Sequence, residues 1–150
     1  MRALLQRVKE AKVFIDETLY SSIHSGLLVF LGIEKGDKSE DIQWLSKKIC
    51  QLRIFSDEQK HMNLSILDIS GEVLIVSQFT LFATTKKGNR PGFCQAAEPS
   101  EANELYQAFV MEIKKQLNKE IKTGLFAANM DIELINEGPV TIFIDTKNKE

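Results

Sequence analysis

At 150 residues, with 43% hydrophobic and 27% charged residues, the chain is long enough to bury a core without covalent staples and is expected to form one domain spanning 1–150. The 19 Lys and Arg against 21 Asp and Glu leave a formal charge of −2, which excludes a global field for polyanions and restricts any nucleic-acid contact to a local basic patch. Cys50 and Cys94 lie far apart with no CxxC or histidine spacing, which argues against zinc and a disulfide framework and fits reduced thiols. Charge at Arg2 and Arg7 does not suit a signal peptide, and no run approaches about twenty apolar residues, so a soluble cytoplasmic protein with no membrane span is expected.

Residues 4–15 and 26–33 read as strands that pair across a turn near Ser21 and Ser25. From Asp37 the period becomes helical: Ile42, Leu45, Ile49 and Leu52 make an apolar stripe, and Asp37 with Glu40 has capping-box spacing. Residues 73–82 read as a β-branched and aromatic strand leading into a loop where Lys86, Lys87 and Arg90 mix with Gly88, Pro91 and Gly92. Pro99 opens a second helix, whose Ala102, Leu105, Tyr106, Phe109 and Ile113 form the core stripe while Lys114, Lys115 and Lys119 face away. Residues 131–135 and 140–144 read as two strands flanking a corner at Gly138-Pro139, and residues 145–150 as a polar tail. Strands outnumber helices without regular alternation. The fold class expected is α+β, a mostly antiparallel, barrel-like sheet with two main amphipathic helices.

Two motifs at strand boundaries carry the candidate chemistry. Ser77 and Thr80 are hydroxyls in a plausible strand-end site, but both residue types are also ordinary strand residues, and no base lies near them in sequence. Gln78 has an amide able to bond a carbonyl or a nucleobase, and Phe79 a ring able to stack on one; ordinary strand pairing is the alternative. Strand alternation would put Ser77 and Phe79 on one face and Gln78 and Thr80 on the other. His24 and His61 sit in polar stretches and suit solvated loops better than a Ser-His-Asp triad. The acidic residues show no metal-ligand spacing, so no metal or other cofactor is expected. Gly138 has no side chain and Pro139 no amide hydrogen, so the dipeptide can present bare, rigid carbonyls. A tight turn with a trans bond is its commonest setting, and the sequence leaves the isomer open.

The chain resembles the D-aminoacyl-tRNA deacylases nearly end to end. The resemblance rests on Gln6-Arg7-Val8, Leu52-Arg53-Ile54-Phe55, Met62-Asn63-Leu64-Ser65, Ser77-Gln78-Phe79-Thr80-Leu81, Lys87-Gly88-Asn89-Arg90-Pro91 and Asn136-Glu137-Gly138-Pro139-Val140-Thr141. Two departures stand out: Ala127 follows Phe126 where the family usually has glycine, and Gly92 stands where it often has serine. What the resemblance implies is hydrolysis of the ester of a D-amino acid on the tRNA 3′ end by a homodimer with sites at the subunit interface. It implies a cis Gly138-Pro139 from one subunit that rejects L-amino acids in the other subunit's site and lets glycine through. Asn136 and Met130 would lie with it on the substrate side, and Ser77, Gln78, Phe79 and Thr80 on the catalytic side. Backbone amides around Phe79 and Thr80 would hold the oxyanion, and the tRNA 2′-hydroxyl would activate water. Two rivals come from other classes: a non-catalytic RNA-end binding module using Phe79 and the basic loop, and a small-molecule serine esterase built on Ser77 or Ser65 with a histidine.

Overall fold

The computed structural model describes residues 1–149. Strand β1 (Arg2–Ile15) is bonded along both edges, which makes it the axis of the sheet. Its second half forms an antiparallel hairpin with β2 (Thr18–Ile23), and its first half pairs antiparallel with β3 (Gly26–Gly32). Asp16 and Glu17, at φ 48° and 61°, make the two-residue turn of that hairpin; positive φ at both central residues matches the twist of the flanking strands. The chain then crosses through α1 (Ser39–Gln51) and the small hairpin β4 (Phe55–Ser56) and β5 (Met62–Leu64) to β6 (Glu72–Ser77), which lies parallel to β3. A second crossover through α2 (Pro99–Leu117) reaches β7 (Lys122–Thr123), parallel to β6. The last strand, β8 (Asp131–Asp145), runs antiparallel along the free edge of β1.

Sheet curvature brings the two ends of this path together. The Ser21 hydroxyl on β2 donates to the Thr123 carbonyl on β7 at 2.7 Å, so the sheet is nearly closed into a barrel. Alternate residues then serve two cores. Leu27, Val29, Leu31, Val73 and Ile75 face the helices, where Leu45, Ile49, Phe109 and Ile113 meet them. Leu28, Leu74 and Val76 face the opposite side with Val8 and Val13. Strand β3 is therefore apolar on both faces, as a central strand with a parallel neighbour must be. Tyr106 ties α2 to the sheet: its hydroxyl donates to the Ile75 carbonyl at 2.8 Å, and burial pushes its phenol above the ordinary range.

The α+β class and barrel-like sheet agree with the sequence, and several details differ. Strand β2 fills part of the stretch read as a turn. Strand β6 stops at Ser77, and Phe79–Phe82 is a 3-10 turn, so the alternation expected through Thr80 fails. Residues 131–135 and 140–144 belong to one strand that keeps its direction, not to two strands across a turn. Lys119 is held rather than free, donating to the Ser70 and Gly71 carbonyls at 2.8 and 2.9 Å. Part of the polar tail is also anchored, since Thr146 is buried, while Glu150 lies outside the described residues.

The start of α1 is offset by one residue from the expected box. Asp37 does not cap it; its carboxylate accepts the Met1 amino group at 2.7 Å and the Glu34 N–H at 2.7 Å. Asp41, in the first turn, accepts the Lys38 N–H at 2.9 Å and the Lys147 ammonium at 2.9 Å, joining the helix start to the chain's far end. Burial alone would raise the Asp41 carboxyl, but the bonds from Lys147, Lys38 and Thr146 outweigh it and lower the carboxyl from 3.8 to about 2. A carboxyl depressed on folding stabilises the fold above its unfolded value and loses that contribution as pH falls through the folded one. Replacing it, Asp41→Asn, should lower the urea midpoint at pH 7 and flatten its decline between about pH 4 and pH 2. An unchanged decline over that window would assign the acid sensitivity to other carboxylates.

Candidate active site

The chain leaves β6 under tight control. Gln78 N–H extends the parallel ladder to the Leu31 carbonyl at 2.7 Å, and the 3-10 turn follows with Leu81 N–H on Gln78 O at 3.2 Å. Phe82 anchors the turn from below, fully buried, against Gly32. A Cβ on Gly32 would meet Gln78 O at 3.0 Å and both Leu81 and Phe82 at 3.1 Å, so glycine lets the turn pack this close to β3 without displacing its neighbours. Arg2 clamps it from the side. Its guanidinium lies 4.5 Å from the Phe82 ring centroid, donates to the Leu81 carbonyl at 3.0 Å and bonds Asp145 at 2.8 Å. With the turn held this way, Phe79 and Thr80 are left exposed at its outer end.

Beside that turn lies a cavity of about 700 Å³. It opens beyond the carboxyl ends of parallel strands β3 and β6, the usual position for a ligand crevice in such a sheet. Ser77, Gln78 and Phe79 line one side, Met130 and the loop before it another, and Phe93 and Cys94 the lip. Phe79 meets Phe93 edge to face with ring centroids 5.1 Å apart. Gly124 lets Met130 approach: a Cβ there would come within 2.5 Å of its sulfur. Ala127, also on the wall, sits at φ 63°, a left-handed conformation that suits glycine better.

Thr80 stands just outside the lining and accepts a hydrogen bond on its Oγ1 from the Gln78 side-chain amide. A carboxamide takes no proton at neutral pH in either orientation, so this pair offers Thr80 no base. The N–H groups of Phe79 and Thr80, the first two of the 3-10 turn, donate to no backbone carbonyl among the described residues. Neither histidine lines this cavity. His24 borders a second one of about 490 Å³, and His61 is exposed at the turn of the β4–β5 hairpin. Ser65 is engaged elsewhere, its hydroxyl on Asp68 at 2.7 Å, a bond that holds the Asp68 carboxyl below the usual range. Among the described residues no three His, Cys, Asp or Glu gather closely enough to hold a metal ion.

Asn136, Gly138 and Pro139 do not join this group. On β8 the pairing runs Val8 with Asn136 and then Gln6 with Thr141, so the single residue Arg7 faces residues 137–140, which bulge out of the edge. The Gly138-Pro139 bond is cis, as the resemblance implied. Asn136 frames the bulge, its amide donating to the Arg7 and Val140 carbonyls at 3.0 Å each. Arg7 holds it from beneath. Its buried guanidinium donates to the Ile54 carbonyl and, at 3.5 Å, to the Gly138 carbonyl, while Nε lies 3.6 Å from the Glu137 carboxylate. On the outside nothing approaches: a Cβ on Gly138 would find no atom within 4 Å, and Pro139 is exposed. Sequence reading gave Arg7 no role. The available signal was its period, since Ala3, Leu5 and Arg7 alternate on one face and an arginine there has to be buried.

Residues 4–145 match the family model described as D-Tyr-tRNA(Tyr) deacylase. The chain belongs to the D-Tyr-tRNA(Tyr) deacylase family. Relatives named D-aminoacyl-tRNA deacylase include those of Cytophaga hutchinsonii, 57% identical, and Parabacteroides distasonis, 55% identical, each over the whole of both chains. Among solved structures, the one named c-Myc DNA Unwinding Element Binding Protein superposes with TM-score 0.92 at 38% identity, covering 97% of this chain and 98% of that one. A probable eukaryotic D-amino acid tRNA deacylase, at 16% identity and TM-score 0.82 over 95% of this chain and 97% of that one, shares the fold. In this deacylase-family chain the two motifs read from the sequence therefore occupy two separate places, the cavity mouth and the β8 bulge.

Proposed function

We infer that the chain hydrolyses the ester joining a D-amino acid to the 3′ end of tRNA, as a homodimer in which the Gly138-Pro139 corner of each copy enters the cavity of the other. The observation that carries this reading is the separation of the two motifs within one chain. The corner is rigidly backed by Arg7, open on its outer side and absent from the lining of its own chain's cavity. A twofold axis makes such an exchange reciprocal, giving two equivalent sites. The outer strand supplies a face for it: β8 is an edge that exposes Ile135 and Phe143, and exposed apolar edges call for cover.

In the composite site the terminal adenosine lies by Phe79 and Met130, with the ester carbonyl against the Phe79 and Thr80 amides. Water attacks the carbonyl carbon, those amides stabilise the oxyanion, and its collapse expels the ribose 3′-oxygen. The neighbouring 2′-hydroxyl of the tRNA activates the water, while Gln78 and Thr80, with Ser77 beside them, position the groups. The carbonyls of Gly138 and Pro139 surround the α-carbon and leave no room for an L side chain. Backbone suits this task, because an apolar side-chain pocket separates substrates by only about 1–3 kcal/mol per methylene and would favour one amino acid over another. Achiral glycine, as in glycyl-tRNA(Ala), meets no such rejection. The reaction belongs to the cytoplasm, where aminoacyl-tRNA is made and used.

A hydrolysis time course on D-tyrosyl-, L-tyrosyl- and glycyl-tRNA, with metal chelated, should give rapid loss of the D and glycyl esters and a spared L ester. Loss of neither D nor L ester above the spontaneous rate would favour an RNA-end binding module. Because Thr80 has no base, Thr80→Ala should keep kcat within about tenfold, whereas tRNA ending in 2′-deoxyadenosine should lose about 10²-fold or more, the scale of a general-base contribution. The opposite ranking in single-turnover rates would make the Thr80 hydroxyl the nucleophile.

A further inference from the structure

The hairpin that rises from the cavity lip has no part in the chemistry above. Thr84 and Gly92 exchange backbone hydrogen bonds at 2.8 and 3.0 Å and close it, with Gly88 at φ 70° near its tip. Both ends are tied to the cavity: the segment into it leaves the Phe79–Phe82 turn, and the segment out of it continues into Phe93 and Cys94. Every residue from Thr84 to Gly92 is exposed. Lys86, Lys87 and Arg90 lie within it and form no ion pair or hydrogen bond among the described residues. Residues 73–97 contain no Asp or Glu, in a chain with 21 acidic residues and a net charge of −2. Three cations in a stretch of sequence without acids, on a loop that leaves the cavity lip, favour a polyanion whose end also enters the cavity.

We propose that this hairpin is the docking element for the phosphates of the RNA acceptor stem, holding the backbone just upstream of the 3′ terminus while the terminal adenosine occupies the cavity. The proposal rests on the tRNA-end reading of the cavity. Unpaired lysines and arginine on an exposed loop gain by releasing counterions from a phosphate backbone, without reading sequence. The loop thus sets affinity for any charged tRNA alike, and selection of the amino acid stays with the cavity and the corner.

The test compares the wild-type chain with the triple variant Lys86→Glu, Lys87→Glu, Arg90→Glu, whose changes fall on side chains without partners. Binding of uncharged tRNA is measured across a salt series, beside turnover of D-tyrosyl-tRNA and of 3′-O-D-tyrosyl-adenosine, which has no stem. The variant should bind tRNA at least tenfold more weakly at moderate salt, with a log Kd against log salt slope shallower by about 2 to 3 units. Its kcat/KM should fall at least tenfold for the tRNA ester and stay within twofold for the adenosine ester. Equal tRNA affinity and salt slope in the two proteins would overturn the proposal, as would an equal fall on both esters, which would mean that the loop shapes the cavity. If the wild-type chain cleaves no ester, the hydrolase reading fails, and the binding series on uncharged tRNA still decides the role of the loop. Weakening by the same factor for a DNA duplex of equal length would reduce the loop to a general polyanion contact and overturn the assignment to the acceptor stem.

Discussion

A buried guanidinium under an exposed corner is the constraint on which the proposed exclusion of L side chains depends, because a chain segment that is to exclude a shape must itself be unable to move aside. Arg7 is paired with Leu27 on β3, and its neighbours Gln6 and Val8 are paired with β8, so the strand that carries it is held on both edges. Its side chain spends donors on the Ile54 and Gly138 carbonyls, and Nε is left with the Glu137 carboxylate at 3.6 Å and no hydrogen bond. Burying a charge with one donor unmatched costs stability that an apolar residue would not. The return is a bulge held at its carbonyl from below and at both shoulders by Asn136, with its outer side open.

The turn at the cavity mouth is built by the same means, backbone groups fixed by buried neighbours. Gly32, Phe82 and Arg2 fix the 3-10 turn after β6, and the two amides it leaves unbonded point nowhere within the sheet ladder. Fixed dipoles need no reorganisation as charge develops, and the proposed hydrolysis uses them in this way, with no histidine at the cavity. On the proposed reading, selectivity and catalysis both fall to main-chain atoms.

Much of the fold was legible because it obeys simple periods. The stripes of α1 and α2 and the apolar runs of β1 and β3 are visible at spacing four and two, and Pro99 marks the start of α2 to the residue. What was hidden has particular causes. Strand β2 went unread because its turn is Asp16-Glu17, with no glycine to advertise positive φ. The parallel pairing of β3 with β6 depends on α1 covering the sheet, and periodicity within a strand carries no direction. The strand through Ser77 stops early because Phe82 is drawn into the core beneath Gly32, a long-range contact that outweighs the strand propensity of Phe79 to Phe82. Within the site, the residue types at 77–80 and 136–139 are visible as motifs, but their separation in one chain is implied only by the family resemblance and not by their own pattern, and the signal for Arg7 is its core-facing position on β1.

If one catalytic site needs two copies of the chain, as proposed, two differently disabled chains must complement each other. Ala128→Trp fills the cavity wall, and Gly138→Phe places bulk on a corner that has room for it in its own chain but not inside a neighbour's cavity. Each variant alone, folded and dimeric, should be inactive on D-tyrosyl-tRNA. Subunits mixed by co-expression or by refolding should recover about a quarter of wild-type activity per chain, since half the dimers are mixed and each mixed dimer holds one intact composite site. Activity of the mixture no higher than that of either variant alone would contradict the account and return the whole site to a single chain.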